Sequence, residues 1–123
     1  MARRQPGATD DAAAADARPI DPNRVQLANR VQLGGQIAAR EPLRYSPAGV
    51  PIVTLQLLHQ SQQQEGGAPR QAAVEIELVA IGEVAKRLDA VLPGYRITAS
   101  GFLANRSRRS RRVVLHVNEF EID

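Results

Sequence analysis

Apolar residues recur at every second position in five separate stretches of this chain, and at helical spacing in one. Successive side chains of a strand point to opposite faces, so a period of two marks a sheet with one dry side and one wet side. Val31, Leu33 and Ile37 keep one parity over residues 29–40. Val53, Leu55 and Leu57 do so in PIVTLQLLHQ, residues 51–60. In QAAVEIELVAI, residues 71–81, Val74, Ile76 and Leu78 are expected inward, with Glu75 and Glu77 solvating the other face. YRITASGFLA and VVLHVNEFEI read as the fourth and fifth strands. In the last of these, Val113, Leu115 and Val117 share a parity that Phe120 and Ile122 do not, which predicts a bulge near Asn118–Glu119. Between the third and fourth strands the period lengthens. In GEVAKRLDAVLPG, Val84, Leu88, Val91 and Leu92 fall on one helical face that stops at Pro93–Gly94.

The connections fit this reading. SPAG (Ser46–Gly49) has Pro and Gly where a tight turn needs them, and the polar, Gly-containing QSQQQEGGAPR is expected to be a mobile loop. Five strands with a short helix between strands 3 and 4 is the element order of the OB-fold, an all-β, five-stranded Greek-key barrel. Oligonucleotides or oligosaccharides bind such barrels on the strand 2–3 face and through the loops 1–2 and 4–5. A chain of 123 residues has room for one such core. Residues 1–22, rich in Ala, Asp, Pro and Gly without a period, are expected to be a disordered extension. NRVQL then occurs twice, at Asn23–Leu27 and at Asn29–Leu33. The offset of six is even, so either copy presents Val and Leu to the same face. Because the second copy runs into Gly34–Gly35, which suit a bent strand, strand 1 is placed there. Residues 23–28 are then extension and residues 29–123 the OB-fold domain.

Arg106, Arg108, Arg109, Arg111 and Arg112 crowd into the loop between the fourth and fifth strands, with no acid among them. Fifteen of the sixteen basic residues are Arg, the exception being Lys86; Arg is the better side chain for gripping phosphate. Such a cluster can also be a solvated loop, a localisation signal or a contact for an acidic protein, but its place in the 4–5 loop of an OB barrel favours nucleic acid. If about four to six of the arginines engage phosphates, the log–log salt slope for a single strand is roughly −3 to −4. Stacking platforms are scarce. The chain has no Trp, and Phe102 and Phe120 are expected to pack inside the barrel, which leaves Tyr45, beside Arg44 at the 1–2 turn, as the candidate for base stacking.

Other chemistries find little support. The chain has no Cys, so it has neither disulfides nor thiolate metal sites. His59 and His116 lack metal-ligand spacing, Ser107 and Ser110 have no nearby base, and no P-loop or dinucleotide pattern occurs. No catalytic residue, metal, cofactor or small-molecule substrate is expected. With no apolar run near the roughly 20 residues of a bilayer span and no secretory signal, a cytoplasmic location is expected, without a membrane partner.

The segments NRVQLGG, REPLRYSPAGVPIVTLQLLHQS, RQAAVEIELVAIG, GYRITASGFLANRS and VVLHVNEFEI together resemble the primosomal replication protein N (PriB) family of bacteria, from about Asn29 to Ile122. Several are shared more loosely with single-stranded DNA-binding protein. That family has a longer tail ending in acidic residues and Phe, which this chain does not match at Asp123. The resemblance implies an OB-fold homodimer that binds single-stranded DNA during replication restart, stabilises the helicase PriA, helps recruit DnaT, and has no catalytic activity. It also implies basic DNA contacts at Arg40 and Arg44 around the 1–2 turn, at Arg70 ahead of the "QA", and at the five loop arginines in place of the family's lysines. Ala73 and Ala68 stand where relatives can carry Trp and Phe, which removes stacking surface. The first strand, Arg30, Val31, Gln32 and Leu33 above all, is expected at a sheet edge that a second copy would close, with the spare NRVQL competing for that edge. Two rival readings stand beside this one: a general strand protector related to single-stranded DNA-binding protein, and an OB scaffold whose Arg loop docks an acidic protein.

Overall fold

The computed structural model describes residues 26–123. Five long strands, β1 (Val31–Arg40), β2 (Pro51–Glu65), β3 (Ala68–Ile81), β4 (Arg96–Asn105) and β5 (Val113–Ile122), form one sheet in the order β1-β4-β5-β3-β2. Pairing of β1 with β2 closes it into a barrel. All neighbours are antiparallel except β3 and β5, which run parallel over Glu77–Ala80 and Val114–Val117. A two-residue strand, Arg44–Tyr45, pairs with the start of β2, and helix α1 (Glu83–Asp89) lies between β3 and β4. The five-stranded barrel with one short helix that the element order predicts is the fold observed.

The inward parity fills the barrel. Ile37, Val53, Leu55, Leu57, Leu78, Ile97, Ala99, Leu115 and Val117 make one buried cluster, and Ala85 and Leu88 of α1 join it. Phe120 belongs to the same cluster because the ladder shifts register as expected: Ser100 faces Glu119 but Gly101 faces Val117, so Asn118 is the extra residue. The helix is shorter than its periodicity predicts. It ends at Asp89, leaving Val91 buried just beyond it and Leu92 exposed. Its C-terminal carbonyls are covered by Arg40, which donates to the carbonyls of Asp89 and of Val91 (3.2 Å) and pairs with the Asp89 carboxylate at 3.4 Å. A cation there satisfies groups the helix leaves unpaired and opposes the negative end of its dipole. Replacing Arg40 by Met, which keeps the apolar stem, is expected to lower unfolding free energy by about 1–2 kcal/mol; chemical denaturation measures it.

Two expectations need correction. QSQQQEGGAPR is not a loop. β2 and β3 pair without a break from Ile52↔Ile81 to Glu65↔Ala68, and Gly66 and Gly67 alone make the turn. Both have positive φ (62° and 80°), as a two-residue hairpin turn of matching twist requires. The arm reaches past the barrel floor, so Val74, expected inward, is exposed and Ile76 half-buried. Nor is β1 an edge strand. Residues 31–36 pair with β4 and residues 36–40 with β2, so Val31–Gly35 have an open side while the strand as a whole is held on both.

Gly34 and Gly35 lead into Gln36, where β1 passes from one partner to the other. The Gly34 carbonyl accepts a hydrogen bond from His59 Nδ1 at 2.6 Å, and a Cβ on Gly35 would collide with the Leu58 carbonyl oxygen. This bears on the repeated NRVQL. A six-residue slip of β1 would bring Asn29 to the position of Gly35, where no side chain fits, so the spare copy cannot replace the second within the barrel. Asn29 adds its own register mark: its side chain donates to the Leu103 carbonyl (2.8 Å) and accepts from the Leu103 amide (2.9 Å). The disorder expected of residues 1–22 and the start of the first repeat lie outside the described residues; Gln26 and Leu27 are exposed and in no strand.

Candidate nucleic-acid interface

The outer face of β2, β3 and β5 brings together three of the candidate cations, Arg44, Arg106 and Arg112. Register places Phe102, His116, Val79 and Thr54 in one row across β4, β5, β3 and β2. The next row is Ala104, Val114, Glu77 and Gln56. A cleft of about 200 Å³ opens on this face, lined by Thr54, Val79 and His116 from the first row and flanked by Arg44 and Arg106. Arg44 reaches it because it lies opposite Ile52 in the ladder, and Ile52 and Ile81 complete the floor. The 1–2 and 4–5 connections of the barrel thus bring one cation each to opposite sides of a single groove.

The Arg-rich loop is built, not slack. Its ends are tied by the Arg106 amide donating to the Arg112 carbonyl at 2.9 Å. Inside it, the Ser110 amide donates to the Ser107 carbonyl at 3.1 Å and the Arg112 amide to Ser110 Oγ at 3.0 Å. The serines shape the turn. The loop also lies down on the sheet: Arg106 Nε and Arg112 Nη2 approach the Glu77 carboxylate at 3.7 and 3.5 Å. Beneath them Val114 is fully buried although it points away from the barrel interior, and Glu77 is 5% exposed. The expectation that Glu77 is a solvated outward acid therefore fails: its face is outward, but the loop covers it. Glu75, one pair further along the strand, is exposed as expected.

The remaining candidates separate. Arg108, Arg109 and Arg111 are exposed, and among the described residues no ion pair engages them. Arg40 is committed to α1. Arg70 sits far out on the hairpin arm opposite Gln63, with the parity of Leu78 and not of Glu77, and pairs with Glu65 at 2.6 Å. Tyr45 is 60% exposed and does not line the cleft; alternation turns it from the face that Arg44 uses. Ala68 and Ala73 lie exposed on the arm.

Phe102 corrects a further expectation. It is not inside the barrel but on the outer face, stacked on His116 with ring centroids 5.1 Å apart and planes 4° from parallel. Phe120 is buried as expected, with the Arg87 guanidinium 5.0 Å over its ring. The signal for Phe102 was in the parity: Ile97, Ala99 and Gly101 are the buried positions of β4, so the next residue faces out. This pair is an aromatic surface at the end of the row that floors the cleft, the stacking element the composition alone did not reveal.

The fold agrees with that of the relatives. A family model described as "another single-strand binding protein family" matches residues 29–119. The replication restart protein PriB of Nitrosomonas europaea is 36% identical over 102 residues, covering 83% of this chain and 94% of that one. This chain belongs to the PriB family. PriB of Bordetella pertussis is 33% identical over 91 residues, or 74% of this chain and 85% of its own. The solved structure of PriB from Ralstonia solanacearum matches with a TM-score of 0.71 at 38% identity, covering 78% of this chain and 98% of that one. The single-stranded DNA-binding protein of Thermus aquaticus shares the fold, with a TM-score of 0.63 at 24% identity over 78% of this chain and 50% of its own. The family is one of binding proteins and not of enzymes.

Proposed function

We propose that this PriB-family chain binds single-stranded DNA across the outer face of β2, β3 and β5 during replication restart, as a cytoplasmic homodimer. The observation that carries the reading is the Arg106–Arg112 loop lying over that face, with Arg44 across the cleft. In this account Arg44, Arg108, Arg109 and Arg111 hold phosphates while the Phe102–His116 pair receives a base. Arg40 and Arg70, candidates by resemblance, serve the helix and the hairpin instead. The open side of Val31–Gly35 is the surface a second copy would pair with, and Arg30, Gln32 and the half-buried Val31 and Leu33 lie along it. Work with the helicase PriA and recruitment of DnaT come to this chain through the family resemblance.

The test is a fluorescence titration with single- and double-stranded oligonucleotides over a salt series. Four phosphate contacts correspond to a log–log slope of about −3 for the single strand, with weaker binding to the duplex. Tighter duplex binding would refute the proposal. A four-subunit assembly in light scattering would favour the general strand protector, and unchanged DNA affinity after loss of the loop arginines would favour the acidic protein partner. Phe102→Ala is expected to weaken single-strand binding about fivefold, the low end for one stacked base because His116 already covers one side of the ring; the same titration reads it.

A further inference from the structure

Five arginines share the loop, yet they are not equivalent. Arg106 and Arg112 converge on the one acid that the groove buries, and the other three do not. We propose that Glu77 is a positioning residue that divides the cluster: it claims Arg106 and Arg112 as pins that hold the loop down and leaves Arg108, Arg109 and Arg111 as the phosphate grip. The proposal rests on the single-strand binding reading and deepens it.

The physical reason is a comparison of two anions. A phosphate contact on a single strand contributes about fivefold to affinity at 0.1 M salt, by the counterion it releases. To offer Arg106 and Arg112 fully to DNA, the chain would have to leave the Glu77 carboxylate, 5% exposed, without its cations. Stranding that buried carboxylate is more unfavourable than the two new contacts are favourable, although the two arginine side chains are themselves 53% and 56% exposed, so the pins stay on Glu77 when DNA arrives. Placement fits this division. Arg106 and Arg112 are the two ends of the loop, joined to each other through the backbone, and Arg108, Arg109 and Arg111 lie between them on the tip. Glu77 sits beside Val114, which the pinned loop shields from water. The same carboxylate offsets part of the mutual repulsion of five cations in seven residues.

The test compares salt slopes for a single-stranded oligonucleotide between the parent chain, Glu77→Gln, and the triple variant Glu77→Gln, Arg106→Gln, Arg112→Gln. Glu77→Gln releases the pins, and the log–log slope is expected to steepen by about 0.7 to 1.4, one to two phosphate contacts. The triple variant is expected to return to the parental slope, because the residues it removes were not gripping DNA in the parent. An unchanged or shallower slope in Glu77→Gln overturns the proposal. So does a triple variant shallower than the parent by about 1.4, an outcome that decides the matter even if Glu77→Gln alone does not fold. A parent chain with no salt-dependent single-strand binding overturns the functional reading as well, which distinguishes the two failures.

Discussion

Replacing Arg108, Arg109 and Arg111 together by Ala lowers single-strand affinity about 100-fold at 0.1 M salt and flattens the log–log slope by about 2, as measured by oligonucleotide titration. The magnitude follows from three lost phosphate contacts at about 0.7 each. These side chains stand on the tip of the loop with no ion pair among the described residues, so their removal leaves the folded state almost untouched. Surface substitutions of that kind usually change stability by no more than about 0.5 kcal/mol, so lost binding reports lost contacts and not lost fold. The two effects also converge with salt: near 1 M the variant and the parent are expected to bind alike.

Gly101→Ala has the largest expected effect on stability. A Cβ at that position would run into the His116 carbonyl oxygen, and the nearest atoms behind it are also backbone. No rotamer change relieves such a clash; β4 and β5 must separate beside the Asn118 bulge, where Gly101 faces Val117. A loss of about 3 kcal/mol or more is expected, which for a domain of this size lowers Tm by roughly 12–24 °C in calorimetry. Gly35→Ala, against the Leu58 carbonyl and with Leu57 Cγ at 2.9 Å, should fall in the same class. Gly34→Ala is the control. Its Cβ would meet Thr98 Oγ1 at 3.4 Å and the Ile97 carbonyl oxygen at 3.8 Å, ordinary contacts, so a change within about 1 kcal/mol is expected. If neighbouring glycines of one strand respond so differently, the close approach of the Leu58 carbonyl to Gly35 is the cause.

What could be read from residues alone was whatever a period of two records. Val53, Leu55 and Leu57 alternate because one face is dry, and the slipped parity between Val117 and Phe120 located the Asn118 bulge. The hairpin arm escaped because its Gln and Ser residues are polar on both faces: backbone pairing and two glycines make it a ribbon, and neither leaves an apolar pattern. The Arg40 cap joins residues 49 apart in sequence, which no local spacing signals. The burial of Glu77 is illegible for a related reason. Its parity points outward, but the loop from Arg106 to Arg112, far downstream in sequence, folds back over it. The outward place of Phe102 is legible in the parity of Ile97, Ala99 and Gly101, which runs against the usual burial of large aromatics.

In the proposed binding mode an unpaired strand lies on the outer face of β2, β3 and β5 beside the pinned arginine loop. Side-chain and amide resonances followed by NMR during titration with a short single-stranded oligonucleotide test it most directly. The largest shifts are expected at Thr54, Val79, Phe102, His116 and the tip arginines, with little change at Leu92, Tyr95 and Ile122 beside α1, which lie away from the cleft. Shifts concentrated around Leu92, Tyr95 and Ile122, with Val79 and His116 unmoved, would contradict it.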